Sequence, residues 1–174
     1  LFSNSIILML NLSLIRHAKS DWENFDGDDM SRSISVTGIR KTEKISNFLR
    51  EKEMTFDEIF CSPSRRTKEN LKILIKNISN DPSIYYLDNL YHSSGIDIFD
   101  TVMLNAKKKK VLIVSHEPLL SCSIENFFSG YDNQHYLRAI EEYTTSALFD
   151  VSFKCEEWHE IEKSKAIINF FVKP

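Results

Sequence analysis

Leu10-Asn11-Leu12-Ser13-Leu14-Ile15-Arg16-His17-Ala18-Lys19-Ser20 is the stretch whose reading decides the fold. Leu10, Leu12 and Leu14 alternate with Asn11 and Ser13, Ile15 closes the apolar run, and Arg16 and His17 end it. A period of two over so short a run describes a strand, not a helix. In an open α/β sheet, ligands lie beyond the carboxyl ends of the strands, which is where Arg16 and His17 stand. A permanently charged planar donor beside a titratable imidazole suits a phosphate. The stretch by itself equally describes a strand that ends in two polar surface residues. Two further segments break that tie.

Downstream of the acidic loop that holds Asp21, Glu23, Asp26, Asp28 and Asp29, read as solvated, Ser35 or Thr37 can cap a helix. It runs to about Glu53, with Ile45, Phe48 and Leu49 on one face. Asp57-Glu58-Ile59-Phe60-Cys61 reads as a second strand. Ser62-Pro63 then signals a helix start, a capping serine with proline at the first helical position. That helix carries Leu71, Leu74, Ile75 and Ile78 and stops at Asn80-Asp81-Pro82. Ile84-Tyr85-Tyr86-Leu87 is a third strand, and a loop through Asp88, Tyr91 and His92 leads to a helix with Phe99, Val102, Met103 and Ala106 buried.

Lys107 to Lys110 read as a solvated run that complements the macrodipole at the end of that helix. Val111-Leu112-Ile113-Val114 is a buried fourth strand that ends in Ser115-His116-Glu117-Pro118. A helix with Leu120, Ile124, Phe127 and Phe128 follows, then a connector over residues 131–144. Residues 146–153 form a strand with Ala147, Phe149, Val151 and Phe153 on one face, and residues 166–172 a last strand paired antiparallel with it. The alternation predicts an α/β fold. It is a three-layer αβα sandwich on a mostly parallel sheet, plus a C-terminal antiparallel strand pair.

A chain of 174 residues supports one well-buried core, read as a single domain over residues 9–174. Residues 1–8 read as an extension ahead of Met9. The apolar opening is too short and too interrupted by Asn4, Asn11 and Ser13 to span a bilayer, so no membrane partner is expected. A formal net charge of -3 gives no electrostatic case for nucleic acid. Cys61, Cys122 and Cys155 are far apart and odd in number. They fit neither zinc nor a disulfide framework and point to a reducing, cytoplasmic setting.

Three strand ends now carry chemistry: Arg16-His17, the segment from Ser62 to Arg66, and His116. Cations and imidazoles repel unless an anion joins them, and a phosphoryl group brings about two negative charges. A cysteine phosphatase needs five residues between its cysteine and arginine, and Cys61 to Arg66 has four between. Walker A and Gly-x-Gly-x-x-Gly loops are both absent. Cys61 reads as a buried strand residue, and Trp22 and Trp158 as packing residues. His92, His135 and His159 read as surface or capping histidines.

Leu14-Ile15-Arg16-His17-Ala18-Lys19-Ser20 resembles the Arg-His signature of the histidine phosphatase superfamily. Ser62-Pro63-Ser64-Arg65-Arg66 resembles its Ser-Pro-x-x-Arg segment, and Val114-Ser115-His116-Glu117-Pro118 its second histidine motif. Arg32 with Thr37-Gly38, Thr145-Ser146-Ala147 and the closing Phe171-Val172-Lys173-Pro174 resemble the SixA-like phosphohistidine phosphatase branch. The resemblance implies a phosphoglycerate-mutase-like fold and a metal-independent phosphatase without a cofactor. It casts His17 as the transiently phosphorylated nucleophile. Arg16, Arg66 and His116 become the groups that grip the phosphoryl oxygens, Arg32 lies at the pocket mouth and Arg65 at the surface.

The implied substrate is phosphohistidine on a protein. The alternatives are a small phosphomonoester, turned over by a phosphatase or mutase, and phosphate recognition without turnover. Ala18 stands where most of the superfamily has Gly, Ser33 where the branch has Pro, and Thr67 and Asn70 where it has Ala and Thr. The general acid is left open among Glu117, Asp21, Asp88 and Asp97. The short insertions between strands leave little room for a large lid.

Overall fold

A computed structural model describes residues 9–91 and 95–174. The extension expected at residues 1–8 and the surface role expected of His92 lie outside the described residues. The strands are β1 (Leu10–Arg16), β2 (Glu58–Cys61), β3 (Ser83–Tyr86), β4 (Lys110–Ser115), β5 (Leu148–Phe153) and β6 (Ala166–Val172). They form one sheet in the order β3-β2-β4-β1-β5-β6. The first four strands pair in parallel, β5 runs antiparallel to β1, and β6 antiparallel to β5. The C-terminal antiparallel pair is thus found at the predicted place.

The strand period divides the core between the two faces of the sheet. Leu12, Leu14, Val111 and Ile113 pack on one side with Phe149 and Val151. Helices α3 (Ile98–Asn105), α4 (Leu119–Phe128) and α5 (Gln134–Glu141) cover that side through Val102, Ile124 and Ala139. Ile15, Leu112, Val114 and Ile59 pack on the other side. There they meet Ile45 and Leu49 of α1 (Val36–Glu51) and Leu71 and Leu74 of α2 (Arg65–Leu74). Each such buried Leu, Ile, Val or Phe side chain contributes roughly 1.5–3 kcal/mol. The three layers are those read from the sequence.

Register positions the site. Val114 is level with Ile15 on one side and with Cys61 on the other. The carboxyl ends of β2, β4 and β1 therefore finish together on adjacent strands, and residues 16–17, 62 and 116 leave the sheet side by side.

Several local expectations are corrected. Ser62 does not cap α2: its N–H still donates to the Val114 carbonyl (2.9 Å), so the strand ladder continues through it and the helix begins after Ser64. The lysine run does not cap α3, which ends at Asn105. Residues 107–109 turn into β4 instead, and the N–H groups of Lys107 and Lys108 both donate to the buried Glu58 carboxylate (2.8 Å each). The connector at residues 131–144 contains α5, capped by Asn133, whose side chain accepts from the His135 and Tyr136 N–H groups. Only Tyr136 and Ala139 of α5 are buried, too few to leave a periodic signal. Ser35, one of the two candidates, caps α1 by accepting from the Gly38 N–H at 3.1 Å, and the helix ends at Glu51.

Candidate active site

His17 leaves β1 with its backbone N–H donated to the Ser115 carbonyl (3.0 Å), which ties it to the neighbouring strand. Its Nδ1 lies 2.7 Å from the Ala18 carbonyl oxygen. A carbonyl only accepts, so Nδ1 carries the proton and Nε2 keeps the lone pair. The ring is 8% exposed. Burial, then the charges of Arg66, Arg16 and Arg32, outweigh the Ala18 hydrogen bond and lower its pKa to about 3. The imidazole is neutral at physiological pH.

His116 faces it from the end of β4, with ring centroids 4.8 Å apart. Arg66 Nη2 donates to His116 Nδ1 (3.2 Å), so the His116 proton is on Nε2, which donates to Ser62 Oγ (2.7 Å). Burial, then His17 and Arg66, push its pKa down to about 2. Ser62 and His116 are both buried, and Ser62, just past the end of β2, holds the tautomer through that bond.

Arg66 comes from the first turn of α2. It also donates through Nη1 to the Asp29 carbonyl (2.6 Å) and through Nη2 to Asp29 Oδ2 (2.9 Å). Arg32 holds the other carboxylate oxygen of Asp29 at 2.8 Å, and the Tyr91 hydroxyl donates to Oδ2 at 2.9 Å. Burial would raise the Asp29 carboxyl, but the Tyr91 bond and the two arginines together hold it below the ordinary carboxylate range. Arg16 is braced by Nη1 donation to the Tyr143 carbonyl (2.7 Å).

Arg16, His17, Arg32, Arg66 and His116 line one pocket of about 460 Å³. The structure brings together all five side chains singled out in the sequence. Four buried guanidinium nitrogens there have no hydrogen-bond partner: Arg16 Nε, Arg66 Nε, and Arg32 Nε and Nη1. Unpaired buried donors on cations are costly, and an oxyanion would satisfy them. Among the described residues, no group of three or more His, Cys, Asp or Glu side chains is close enough to hold a metal ion.

Asp29 is the residue that the sequence reading missed. In the sequence it is one of five acidic residues of a loop expected to be solvated, yet it lines the pocket. The loop folds back on α2 through an Arg65 N–H to Met30 carbonyl bond (2.9 Å). The usable signal was the Asp29-x-x-Arg32 spacing. Trp22 is also corrected. It is 63% exposed at the rim, and its ring lies 3.7 Å from the Arg32 guanidinium carbon, a cation–π contact in place of core packing. Trp158 is buried and donates its indole N–H to the Lys108 carbonyl (2.6 Å).

Of the four carboxylates considered as an acid, Glu117 alone lines the pocket. Asp21 is bound within its own loop to Glu23 and Asn24, Asp97 caps α3, and Asp88 opens a turn after β3. Arg65 pairs with Glu69 at the surface (2.7 Å). His135 Nδ1 accepts from the Phe171 N–H (3.2 Å), and His159 is exposed. Cys61 is buried, and that burial drives its thiol up to about 12, far from a nucleophile's range.

Residues 12–90 match the histidine phosphatase superfamily (branch 1). A chloroplastic protein of Arabidopsis thaliana is 26% identical over 97 residues, 55% of this chain. The match spans 44% of that relative's length. The fold superposes on the SixA structure from Agrobacterium tumefaciens with a TM-score of 0.77 at 18% identity, over 95% of this chain and 98% of that one. A tungstate complex of the protein histidine phosphatase SixA gives 0.71 at 17% identity, over 94% and 97%. A phosphoglycerate mutase from Plasmodium falciparum gives 0.60 at 14%, over 92% and 89%. Segment and fold agree with the motifs: the architecture is SixA-like and phosphoglycerate-mutase-like.

Proposed function

We propose that this chain is a phosphatase of the histidine phosphatase superfamily that carries the phosphoryl group on His17, without a metal. The observation that carries the reading is the set of three arginines and two imidazoles held neutral that line one pocket. The Nε2 lone pair of His17 attacks phosphorus in line, and the N–P bond forms as the leaving group departs. Arg16, Arg66 and Arg32 stabilise charge on the equatorial oxygens. A bound dianion would raise the His116 pKa, because opposite charge favours the imidazolium. Water then attacks the phosphohistidine, and phosphate leaves. Tungstate is a tetrahedral oxyanion like phosphate, and its complex with a protein of the same fold supports an oxyanion at this site.

The substrate proposed is phosphohistidine on a protein. Two observations favour it over a small sugar phosphate. Asp29 is 45% exposed while touching Arg66, so the inner pocket is one side chain away from solvent. The exposed Trp22 stands on the rim where a protein surface would rest. The three cysteines are unbridged, which suits the cytoplasm. No helix of the described residues is long and apolar enough to cross a membrane.

Turnover of a phosphohistidine protein and of sugar phosphates should be compared side by side. Faster kcat/KM on the protein supports the reading, and faster turnover of the sugars shifts it to the small-metabolite alternative.

A further inference from the structure

Asp29 puts a carboxylate between two arginines of the phosphoryl pocket. Its Oδ1 lies 2.8 Å from Arg32 Nη2, and its Oδ2 lies 2.9 Å from Arg66 Nη2. The Tyr91 hydroxyl donates to the same Oδ2 at 2.9 Å. All four residues line the one pocket that also holds His17 and His116. A carboxylate held in this way offers two oxygens to two guanidinium groups, as a phosphoryl group does. Resting on the phosphatase reading above, we propose that Asp29 is a built-in competitor for the phosphoryl site. Its carboxylate holds Arg32 and Arg66 in the resting chain, gives them up when a phosphoryl group binds, and takes them back when phosphate leaves.

Charge and donor supply make the two anions alternatives. Asp29 is the counter-charge between Arg32 and Arg66. A phosphoryl group brings about two negative charges, and like charges at the same pair of cations repel. Both N–H groups of Arg66 Nη2 are in use, one by Asp29 Oδ2 (2.9 Å) and one by His116 Nδ1 (3.2 Å). A phosphoryl oxygen that takes this nitrogen takes it from one of those two. His116 is 7% exposed, whereas the Asp29 side chain is 45% exposed and can turn its carboxylate into water.

The exchange needs little more than that turn. The backbone around Asp29 is fastened on both sides. Asp26 accepts from the Asp28 N–H (3.1 Å), Asp28 accepts from the Met30 N–H (3.0 Å), and the Met30 carbonyl accepts from the Arg65 N–H (2.9 Å). The Asp29 carbonyl accepts from Arg66 Nη1 at 2.6 Å, a bond that rotation of the side chain leaves in place. No covalent bond changes. The carboxylate weakens oxyanion binding in the resting pocket, and after hydrolysis it competes with the product for the same donors and speeds its release.

A brace that merely orients Arg66 for the phosphoryl group would act in the opposite direction, so the sign of one measurement decides. Inorganic phosphate should be titrated as a competitive inhibitor of p-nitrophenyl phosphate hydrolysis by the parent chain, Asp29→Asn and Asp29→Ala, with thermal melts to report folding. Asp29→Asn keeps the size of the side chain and removes its charge, and its inhibition constant for phosphate should fall about 10-fold. Asp29→Ala should bind phosphate more tightly than the parent as well. An unchanged or weaker inhibition by phosphate in folded Asp29→Asn overturns the competitor role and leaves the phosphatase reading standing. A parent chain that hydrolyses no phosphate compound overturns the phosphatase reading itself, and this proposal with it.

Discussion

The imidazoles of His17 and His116 lie 4.8 Å apart, centroid to centroid, tilted by 54°. Protonating both at that distance among arginines would stack like charges in a buried site. Burial first, and the neighbouring charges after it, hold their pKa values at about 3 and about 2. Neutrality leaves His17 Nε2 with the lone pair that the proposed phosphoryl transfer requires.

A stability prediction follows from those depressed values. The unfolded chain protonates these histidines near pH 6.5, and the folded chain does so only near 3 and 2. Their contribution is present in full above about pH 6.5 and is lost as pH falls below it. In phosphate-free buffer the two should cost about 2–3 kcal/mol between pH 7.5 and 5.5. Denaturant unfolding at the two pH values measures this. His17→Asn should flatten the pH slope by about half of that amount, and an unchanged slope contradicts the assignment.

Ser62→Ala removes the acceptor of the His116 Nε2 proton. It leaves a buried N–H unpaired, at a cost of about 1–3 kcal/mol. With its tautomer and orientation no longer held, His116 loses its set place beside His17, and on the proposed mechanism kcat should fall about 10- to 100-fold. Steady-state kinetics with an unfolding curve separates the two effects. An unchanged kcat contradicts the positioning role.

Arg66→Lys keeps the charge and loses the fork. A single ammonium cannot reach the Asp29 carbonyl, the Asp29 carboxylate and His116 Nδ1 together. We expect kcat/KM to drop by about 100-fold or more. A loss within about threefold would show that charge alone suffices.

Gly38 lies in α1 against Lys19, which follows His17-Ala18 at the end of β1. A Cβ there would strike the Lys19 carbonyl oxygen. Helix propensity favours Ala over Gly by about 1 kcal/mol, but the collision costs about 1–3 kcal/mol and wins. Gly38→Ala should lower stability and, by displacing Lys19 at the pocket wall, reduce activity. A higher melting temperature contradicts this.

The layers were legible because strand period two wrote the two faces of β1 and β4 directly into Leu12, Leu14, Ile15 and residues 111–114. His17 and His116 were legible because each follows such a strand, and Arg66 because it lies in the Ser-Pro segment beyond β2. Asp29 was not, since its role depends on a loop that folds back 37 residues to meet Arg66. The short α5 gave two buried residues, below what periodicity can register. The role of Ser62 was hidden because Ser-Pro looks the same whether the serine caps a helix or ends a strand.

Transfer of a phosphoryl group onto His17 is the point on which the mechanism stands. The chain should be incubated with a small-molecule phosphodonor, quenched in base, and mapped by mass spectrometry for acid-labile phosphate. The account predicts label on His17 and none in His17→Ala. Label on another residue, or none in a folded chain that turns over substrate, would contradict it.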